Sequence, residues 1–295
     1  MGIWRSLDRK EPLGVVALSG PVDPAKLDRG LQVLRTWENP VFLASNLRDR
    51  ETYLAGSDDD RLGGLLELLD RGVRTFIAAR GGFGSTRLLD RLPWDRLIAE
   101  EIRFVGFSDL TAILNPLASS VVQIHGPMAA AGLERASNAA RLRELLDGQL
   151  VGQTLFPIPS DRVLRHGAAE GIALGGNLTL LSALMGTKWE PDFNDSVLFV
   201  EEVSEPPYRL DRQLTHLRGS ASFGRVKALI GGSLHACRPR PECLSRWCEL
   251  LLESVPDTVP VIVGMPFGHA TKNLAFPIGA SVEIDTRRGA LSWSV

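Results

Sequence analysis

Short apolar runs alternate with segments of helical period through residue 135 of the chain. Residues 14–18 form the first run, and apolar side chains recur at helical spacing over residues 24–37 directly after it. The same order repeats further along, with strands predicted at 40–43, 74–79 and 102–107 and helices predicted at 58–69 and 110–117. This alternation predicts an α/β fold with a mostly parallel sheet flanked by helices, because parallel neighbours need a crossover connection.

The pattern differs in the second half of the chain. A polar segment, first helical and then irregular, covers residues 133–159 and is typical of a linker. Beyond it we predict helices at 177–184 and 210–217, strands at 197–203, 226–230 and 259–263, and a hairpin over 281–293. We therefore predict an N-terminal α/β domain over residues 1–140, a linker over 141–170 and a C-terminal α+β domain over 171–295.

Charge is almost balanced over the 295 residues. The chain has 33 Lys and Arg residues against 35 Asp and Glu residues, a formal net charge of -2, and no block of five like charges. Nucleic-acid and membrane-surface binders carry a basic patch or stripe, which this balance does not provide. The longest charge-free stretch, residues 110–133, is interrupted by Asn115, Pro116 and Pro127, so it is not typical of a membrane span. We predict no nucleic-acid partner and no membrane partner.

Three cysteines lie close together near residue 240. Cys237, Cys243 and Cys248 follow His235 with spacings that match none of the recurring zinc patterns, so we predict free thiols and no metal site. Free thiols are typical of a reducing compartment. The first twelve residues contain neither an apolar core nor a cleavage-like motif of small residues, so no export signal is predicted and we expect a cytoplasmic protein.

A candidate nucleophile stands at a strand-to-helix turn. In residues 104–111, an apolar strand changes abruptly into a helix, with Ser108 at the turn. This geometry exposes the Ser108 hydroxyl and places the N–H of Asp109 at a helix N-terminus, where it can donate to a developing oxyanion. Ser and Asp are also preferred helix caps, so a purely structural role stays open. Asn115 and Pro116 are expected to interrupt the helix that follows.

Three further motifs stand where predicted strands end. The glycine-rich loop of residues 80–84 can supply N–H donors to a phosphate or an oxyanion, and a simple tight turn is an equal alternative. Acids follow the strand at 197–203, a position where they are usually solvated. His269 lies in a loop flanked by glycines, whereas His125, also at a strand end, is interpreted as a packing residue or as a residue that supports the site from behind. A nucleophile, an acid and an imidazole at strand ends are the arrangement that a serine hydrolase needs.

Strand parity separates the two adjacent acids. Side chains alternate between the faces of a strand, so Glu201 shares a face with Phe199, whereas Glu202 shares the opposite face with Val200. Only one of the two carboxylates can therefore form a hydrogen bond with His269. We predict that Glu201 is this acid and that it is the more buried of the pair.

Eight motifs occur in an order that spans nearly the whole chain: S-G-P (19–21), Y-L-A-G-S-D (53–58), A-R-G-G-F-G-S (79–85), G-F-S-D-L-T-A (106–112), H-G-P-M (125–128), G-G-N-L-T-L-L (175–181), L-F-V-E-E-V-S-E-P-P-Y-R-L-D-R (198–212) and G-M-P-F-G-H (264–269). Together they closely resemble the LD-carboxypeptidase family of serine peptidases. The resemblance implies Ser108 as nucleophile, His269 as general base and Glu201 as the acid that orients it. It also implies oxyanion donors in the backbone N–H groups of Asp109 and Gly82.

The resemblance further implies a reaction. One branch of the family releases terminal D-Ala from murein tetrapeptides, cleaving the bond after an L-centre diamino acid, in cell-wall recycling. The other branch resembles microcin self-immunity proteins and hydrolyses peptidyl or aminoacyl sulfamoyl-adenylates. The segment 205–212 is similar to the murein branch. We therefore expect a murein tetrapeptide LD-carboxypeptidase in which Glu205 and Tyr208 contact the substrate.

The same resemblance implies a homodimer that acts on a small peptide without a cofactor or a metal. A competing hypothesis from another class is a non-catalytic α/β module that binds a phosphorylated ligand at residues 80–84. The two hypotheses differ in one respect that chemistry can test. A hydrolase has a serine that reacts with fluorophosphonates, whereas the binding module binds a nucleotide and has no such serine.

Overall fold

Two β-sheets carry the fold. The computed structural model describes residues 1–294, and its strands form one six-stranded and one eight-stranded sheet. The strands are β1 (Leu13–Val16), β2 (Val41–Leu43), β3 (Thr75–Ala78), β4 (Arg103–Gly106), β5 (Gln123–His125), β6 (Thr154–Pro157), β7 (Val163–Arg165), β8 (Ala168–Asn177), β9 (Ser196–Val203), β10 (Ala228–His235), β11 (Val261–Ile262), β12 (Phe276–Ile278), β13 (Ser281–Asp285) and β14 (Ala290–Ser294). The α-helices are α1 (Pro24–Arg35), α2 (Asp58–Asp70), α3 (Ser85–Leu88), α4 (Trp94–Ala99), α5 (Thr111–Ala118), α6 (Ala136–Leu146), α7 (Leu178–Leu184), α8 (Pro207–Arg218) and α9 (Arg240–Ser254).

The six-stranded sheet is mostly parallel, which confirms the predicted fold class of the N-terminal half. Its strand order is β12-β5-β4-β3-β1-β2, and only β12 runs antiparallel to its neighbour. Adjacent residues of one strand pack into two separate cores, with Val15 in one and Val16 in the other. A parallel sheet covered on both faces brings the carboxyl ends of its strands to one edge. The residues that follow β1, β3 and β4 therefore lie near one another.

The eight-stranded sheet combines a parallel centre with antiparallel edges, and it contains every strand after residue 150 except β12. Its order is β6-β14-β13-β8-β9-β10-β11-β7, in which β8, β9, β10 and β11 are parallel neighbours. Helices α7, α8 and α9 connect these strands, and the hairpin of β13 and β14 extends the sheet beside β8. Glu201 stands near the carboxyl end of β9, a central strand that is buried over most of its length.

Helix α5 lies between β4 and β5 in the chain, and it also contacts β8 of the eight-stranded sheet. It continues through Pro116 and ends at Ala118, so the prediction that Asn115 and Pro116 interrupt this helix is wrong. Tertiary contacts outweigh the local effect of proline, because the Asn115 amide donates 2.9 Å hydrogen bonds to the carbonyls of Thr111 and Gly175. The N–H of Gly175 in turn donates to Asn115 Oδ1 at 2.9 Å. The helix that begins beside Ser108 is thus bonded directly to β8.

Removal of the Asn115 amide is expected to destabilise the protein. Asn115→Ala leaves the buried N–H and C=O of Gly175 without this partner, and we expect a loss of about 2–4 kcal/mol in the free energy of unfolding. Urea unfolding measures this as a lower midpoint at unchanged slope. Ser119→Ala, at an exposed position after the same helix, is the matched control and should cost less than about 0.5 kcal/mol. Equal midpoints for the two variants would contradict this account.

Several elements lie outside the predicted pattern. Strands β6 and β7 fall within residues 141–170, the stretch predicted as a linker, and both pair within the eight-stranded sheet. Strand β12 comes late in the chain yet completes the six-stranded sheet beside β5. The limits of the two domains given above stay a prediction. Across residues 1–294, every helix is too short or too polar to cross a lipid bilayer.

Candidate active site

Ser108 occupies a sharp turn directly beyond β4. Its φ of 60° is unusual for a residue other than glycine, and such strain is typical of functional turns. The glycine loop lies against it, because a Cβ on Gly81 would stand 2.8 Å from Ser108 Cβ and 2.9 Å from Ser108 Oγ. The hydroxyl does not cap a helix. It pairs instead with Nε2 of His269 at 3.1 Å.

His269 is held from its other side by Glu201. Nδ1 of the imidazole lies 2.7 Å from Glu201 Oε2, and the backbone N–H of His269 donates to the same oxygen at 3.1 Å. The preceding Gly268 has a φ of 95°, and a Cβ there would stand 2.5 Å from Glu201 Oε2. Only glycine permits this approach of the loop to the carboxylate. Ser108, His269 and Glu201 are therefore joined in one hydrogen-bonded chain.

The two adjacent acids are both buried and both accept from the Asn177 amide, but only Glu201 also contacts His269. Glu201 is 0% exposed and Glu202 is 2% exposed, so Glu201 is the more buried of the pair, as predicted, but only by a small margin. The reason is that β9 lies at the centre of its sheet, where both faces of a strand are covered. Glu202 accepts hydrogen bonds from the Asn177 amide at 2.9 Å and from the Thr179 N–H at 2.8 Å. Side-chain direction thus follows the predicted parity, whereas burial hardly distinguishes the two.

The environment of His269 favours its protonated form. Burial is the largest single influence and opposes the charge, but the hydrogen bond and negative charge of Glu201, with the charge of Glu202, outweigh it and raise the pKa of His269 above 6.5. An imidazole held in this way accepts a proton from a hydroxyl on one side while a carboxylate stabilises the resulting imidazolium on the other. The geometry therefore has the parts needed for nucleophilic attack by Ser108.

Two backbone N–H groups near the Ser108 hydroxyl are free to donate. Neither the N–H of Gly82 nor that of Asp109 has a hydrogen-bond acceptor in the part of the chain that the structure describes. The Asp109 nitrogen lies 3.5 Å from the position of a Cβ on Gly81, and Gly82 has a φ of 118°. Both groups adjoin the turn where negative charge would develop on a carbonyl oxygen.

The carboxylate of Asp109 holds two neighbouring segments together by hydrogen bonds, the loop after β1 and the start of α3. It accepts hydrogen bonds from the Ser19 hydroxyl and from the Ser85 N–H, at 2.5 Å and 2.8 Å. Burial raises the pKa of this carboxyl, and the two donors oppose that effect. Sequence reasoning considered Asp109 as an oxyanion donor through its backbone N–H or as a helix cap, and it missed these contacts between loops. The motif S-G-P of residues 19–21, which carries one of the donors, was the available signal.

Arg61 is a second supporting residue that sequence reasoning missed. Its side chain is fully buried, and it donates to the backbone carbonyls of Leu18 and Gly84 while it pairs with Asp58. It therefore ties the loop after β1 to the glycine loop. The available signal was its place on the helix, because Arg61 and Leu65 share the face of α2 that points into the core.

The remaining candidates lie apart from the hydrogen-bonded chain. Glu205 forms an ion pair with Arg209 at 3.2 Å, and Tyr208 is 63% exposed, and neither is bonded to Ser108 or His269. Their substrate contacts stay a prediction. His125 is fully buried and contacts the rings of Phe107, Phe267 and Phe276. Burial lowers its pKa to about 4, which agrees with a packing role.

The cysteines are free thiols in the structure. Cys237 and Cys243 are buried and Cys248 is partly buried. Burial raises the pKa of Cys237 to about 11, so its thiol is protonated at neutral pH. No group of three or more His, Cys, Asp or Glu residues within residues 1–294 is arranged to hold a metal ion.

Comparison with known proteins gives matches along most of the chain. A family model described as the LD-carboxypeptidase N-terminal domain matches residues 13–126, and the corresponding C-terminal domain model matches residues 170–284. The murein tetrapeptide carboxypeptidase of Pseudomonas aeruginosa is 30% identical over 302 aligned positions, which cover 98% of this chain and 97% of that protein.

Solved structures agree with these matches. The muramoyltetrapeptide carboxypeptidase of Oxalobacter formigenes has a TM-score of 0.82 at 28% identity, covering 96% of this chain and 99% of that one. The microcin C7 self-immunity protein MccF, in its wild-type apo state, has a TM-score of 0.86 at 21% identity, covering 98% and 97%. At 21% identity, the similarity to MccF shows a shared fold and nothing more. With both domain models matched in order, the chain belongs to the LD-carboxypeptidase family of serine peptidases.

Proposed function

We propose that this protein is an LD-carboxypeptidase that releases terminal D-Ala from murein tetrapeptides by means of Ser108, His269 and Glu201. The observation that carries the proposal is the hydrogen-bonded chain from the Ser108 hydroxyl through the imidazole to the Glu201 carboxylate, at 3.1 Å and 2.7 Å. Two relatives that align with almost the whole chain are named as murein peptide carboxypeptidases. Their similarity supports a murein peptide as the substrate.

The reaction has two covalent steps. Ser108 Oγ bonds to the scissile carbonyl carbon while His269 Nε2 takes the hydroxyl proton, and Glu201 stabilises the imidazolium. The N–H groups of Gly82 and Asp109 donate to the resulting oxyanion. The carbon–nitrogen bond then breaks, and the imidazolium gives its proton to the departing amine of D-Ala. Water, deprotonated by the same imidazole, hydrolyses the acyl-enzyme.

A fluorophosphonate probe tests the proposed nucleophile. Such probes react with serines that a neighbouring base activates, so we expect stoichiometric labelling at Ser108 and none in Ser108→Ala. Ser85 is a useful internal comparison, since its hydroxyl is buried and donates to the Asp109 carbonyl, and it should stay unlabelled. Absence of labelling together with nucleotide binding at residues 80–84 would favour the non-catalytic phosphoryl-binding module instead.

The pH dependence of kcat/KM should reveal His269. Only the neutral imidazole accepts the serine proton, so activity rises with pH through the pKa of His269, and its raised pKa places the half-maximal point above 6.5. Glu201→Gln removes the group that raises this pKa, while burial still lowers it. The acid limb of the residual activity should therefore move to lower pH, measured from about pH 5 to pH 9. An acid limb at the same pH in both proteins would contradict the assignment.

A further inference from the structure

A cavity separate from Ser108 lies at the carboxyl edge of the eight-stranded sheet. It has a volume of about 470 Å³, which is within the range of small-molecule sites. We call it the α9 cavity, because the first turns of that helix line it together with the end of β10 and the loop after β11. Its lining includes Arg162, Ser233, Arg240, Leu244, Trp247 and Val263.

The α9 cavity combines apolar walls with arginines. Leu244 and Val263 supply apolar surface, and Arg162 and Arg240 supply positive charge. Within residues 1–294, Arg240 has neither an ion pair nor a side-chain hydrogen bond. Arg162 forms a 3.5 Å ion pair with Asp161, an exposed acid that also lines the cavity. Two arginines against the single carboxylate of Asp161 leave the lining with a net positive charge. Arg240 is therefore available to bind an anion from solution, and the planar donors of a guanidinium group match a carboxylate.

Two buried donors in the same lining are also unsatisfied. Trp247 is 2% exposed, and its indole N–H has no acceptor among the described residues. The Ser233 hydroxyl likewise has no partner there. Buried polar groups are bonded in most folded proteins, so unpaired donors at a cavity indicate where a ligand acceptor would bind. A carbonyl oxygen next to the carboxylate would satisfy such a donor.

One wall of the α9 cavity belongs to the loop that carries His269. Gly264 and Ala270 line the cavity, whereas the side chain of His269 contacts Ser108 and Glu201. The same loop is bonded to β10, because the Met265 N–H donates to the Gly231 carbonyl at 3.0 Å. The cavity and the Ser108 site therefore share a loop without sharing the side chains that line them.

We propose that the α9 cavity is a binding site for a small carboxylate with a branched apolar body, of the class of N-acylated amino acids. The carboxylate binds Arg162 and Arg240, the apolar side chain contacts Leu244 and Val263, and the acyl carbonyl accepts from Trp247. Nothing in this assignment requires hydrolysis by Ser108. The binding site and the proposed peptidase activity are therefore tested by separate experiments.

Calorimetric titration with N-acetyl-L-leucine tests the site. We expect one ligand per chain, with N-acetyl-L-leucinamide at least about tenfold weaker, because the amide lacks the charge that the arginines bind. The double variant Arg162→Gln/Arg240→Gln should weaken the acid by at least about tenfold. Arg288→Gln is the matched control, since that side chain is 81% exposed on the β13–β14 turn, and it should bind as the wild type does.

Two further measurements locate the bound molecule. Leu244→Glu places a negative charge at a wall position that is 41% exposed, so the fold should tolerate it while binding of the acid is lost. Protein labelled with a fluorophosphonate at Ser108 should bind with unchanged affinity. Loss of binding after labelling would place the ligand at Ser108, and equal binding of acid and amide, or no binding at all, would also overturn the proposal. If Ser108 does not label, the peptidase proposal fails, and the Leu244 and arginine variants still decide this one.

Discussion

Ser108→Ala is expected to lower kcat for D-Ala release by roughly 10⁴–10⁶, because removal of a serine nucleophile leaves only binding and oxyanion stabilisation. The variant should fold normally, since the hydroxyl pairs with His269 and caps no helix. Steady-state kinetics and a thermal melt of the same preparation measure the two quantities. Ser119→Ala is the matched control. Ser119 is an exposed serine directly after helix α5, and this variant should retain full activity.

Two results for Ser108→Ala would contradict its role as the nucleophile. Activity within about tenfold of the wild type would show that Ser108 is not the nucleophile, because no other residue bonded to His269 Nε2 can replace it. A large loss of thermal stability with little loss of kcat would instead support a structural role for the turn.

Glu201→Gln is expected to lower kcat by roughly 10²–10⁴, in line with the loss of an orienting acid in other serine peptidases. The amide can still occupy the site, but it cannot stabilise the imidazolium of His269 by charge. Glu202→Gln is the matched control, since the neighbouring side chain is almost as buried and bonds to Thr179, whereas Glu201 bonds to His269. It should change kcat by less than about tenfold.

Glu202→Gln is expected to affect stability more than activity. Glu202 accepts several hydrogen bonds, and a glutamine amide would face some of these donors with its own N–H groups, so Glu202→Gln should cost about 1–3 kcal/mol in the free energy of unfolding. If Glu202→Gln removes activity and Glu201→Gln is mild, the assignment of the two carboxylates is reversed.

The local features of the candidate site could be predicted from the sequence. A strand that changes into a helix at Ser108 needs only neighbouring residues to be noticed, and the parity of β9 follows from the alternation of side chains. The place of the glycine loop near Ser108 was implied only by the family resemblance, and parallel strands, which bring separate turns to one edge, explain it. The contact of this loop with Ser108 in the structure, through Gly81, is a consequence of that topology.

Features that depend on distant parts of the chain could not be predicted. The nearly equal burial of Glu201 and Glu202 results from the central place of β9, which the sequence of that strand does not reveal. Pro116 stays within a helix because Asn115 bonds to Gly175, sixty positions further along. Arg61 is buried for a similar reason, since its acceptors are carbonyls of two other loops. In the last two cases a long-range hydrogen bond outweighs a local preference.

Release of D-Ala from a murein tetrapeptide is the most direct test of the proposed activity. The wild-type protein is incubated with the peptide in its free acid form and, in parallel, with the same peptide amidated at its C-terminus, and free D-Ala is measured. We expect D-Ala from the free acid, a strongly reduced rate with the amide because a carboxypeptidase binds the terminal carboxylate, and no release by Ser108→Ala. Intact free-acid peptide, or equal cleavage of both peptides, would contradict an LD-carboxypeptidase.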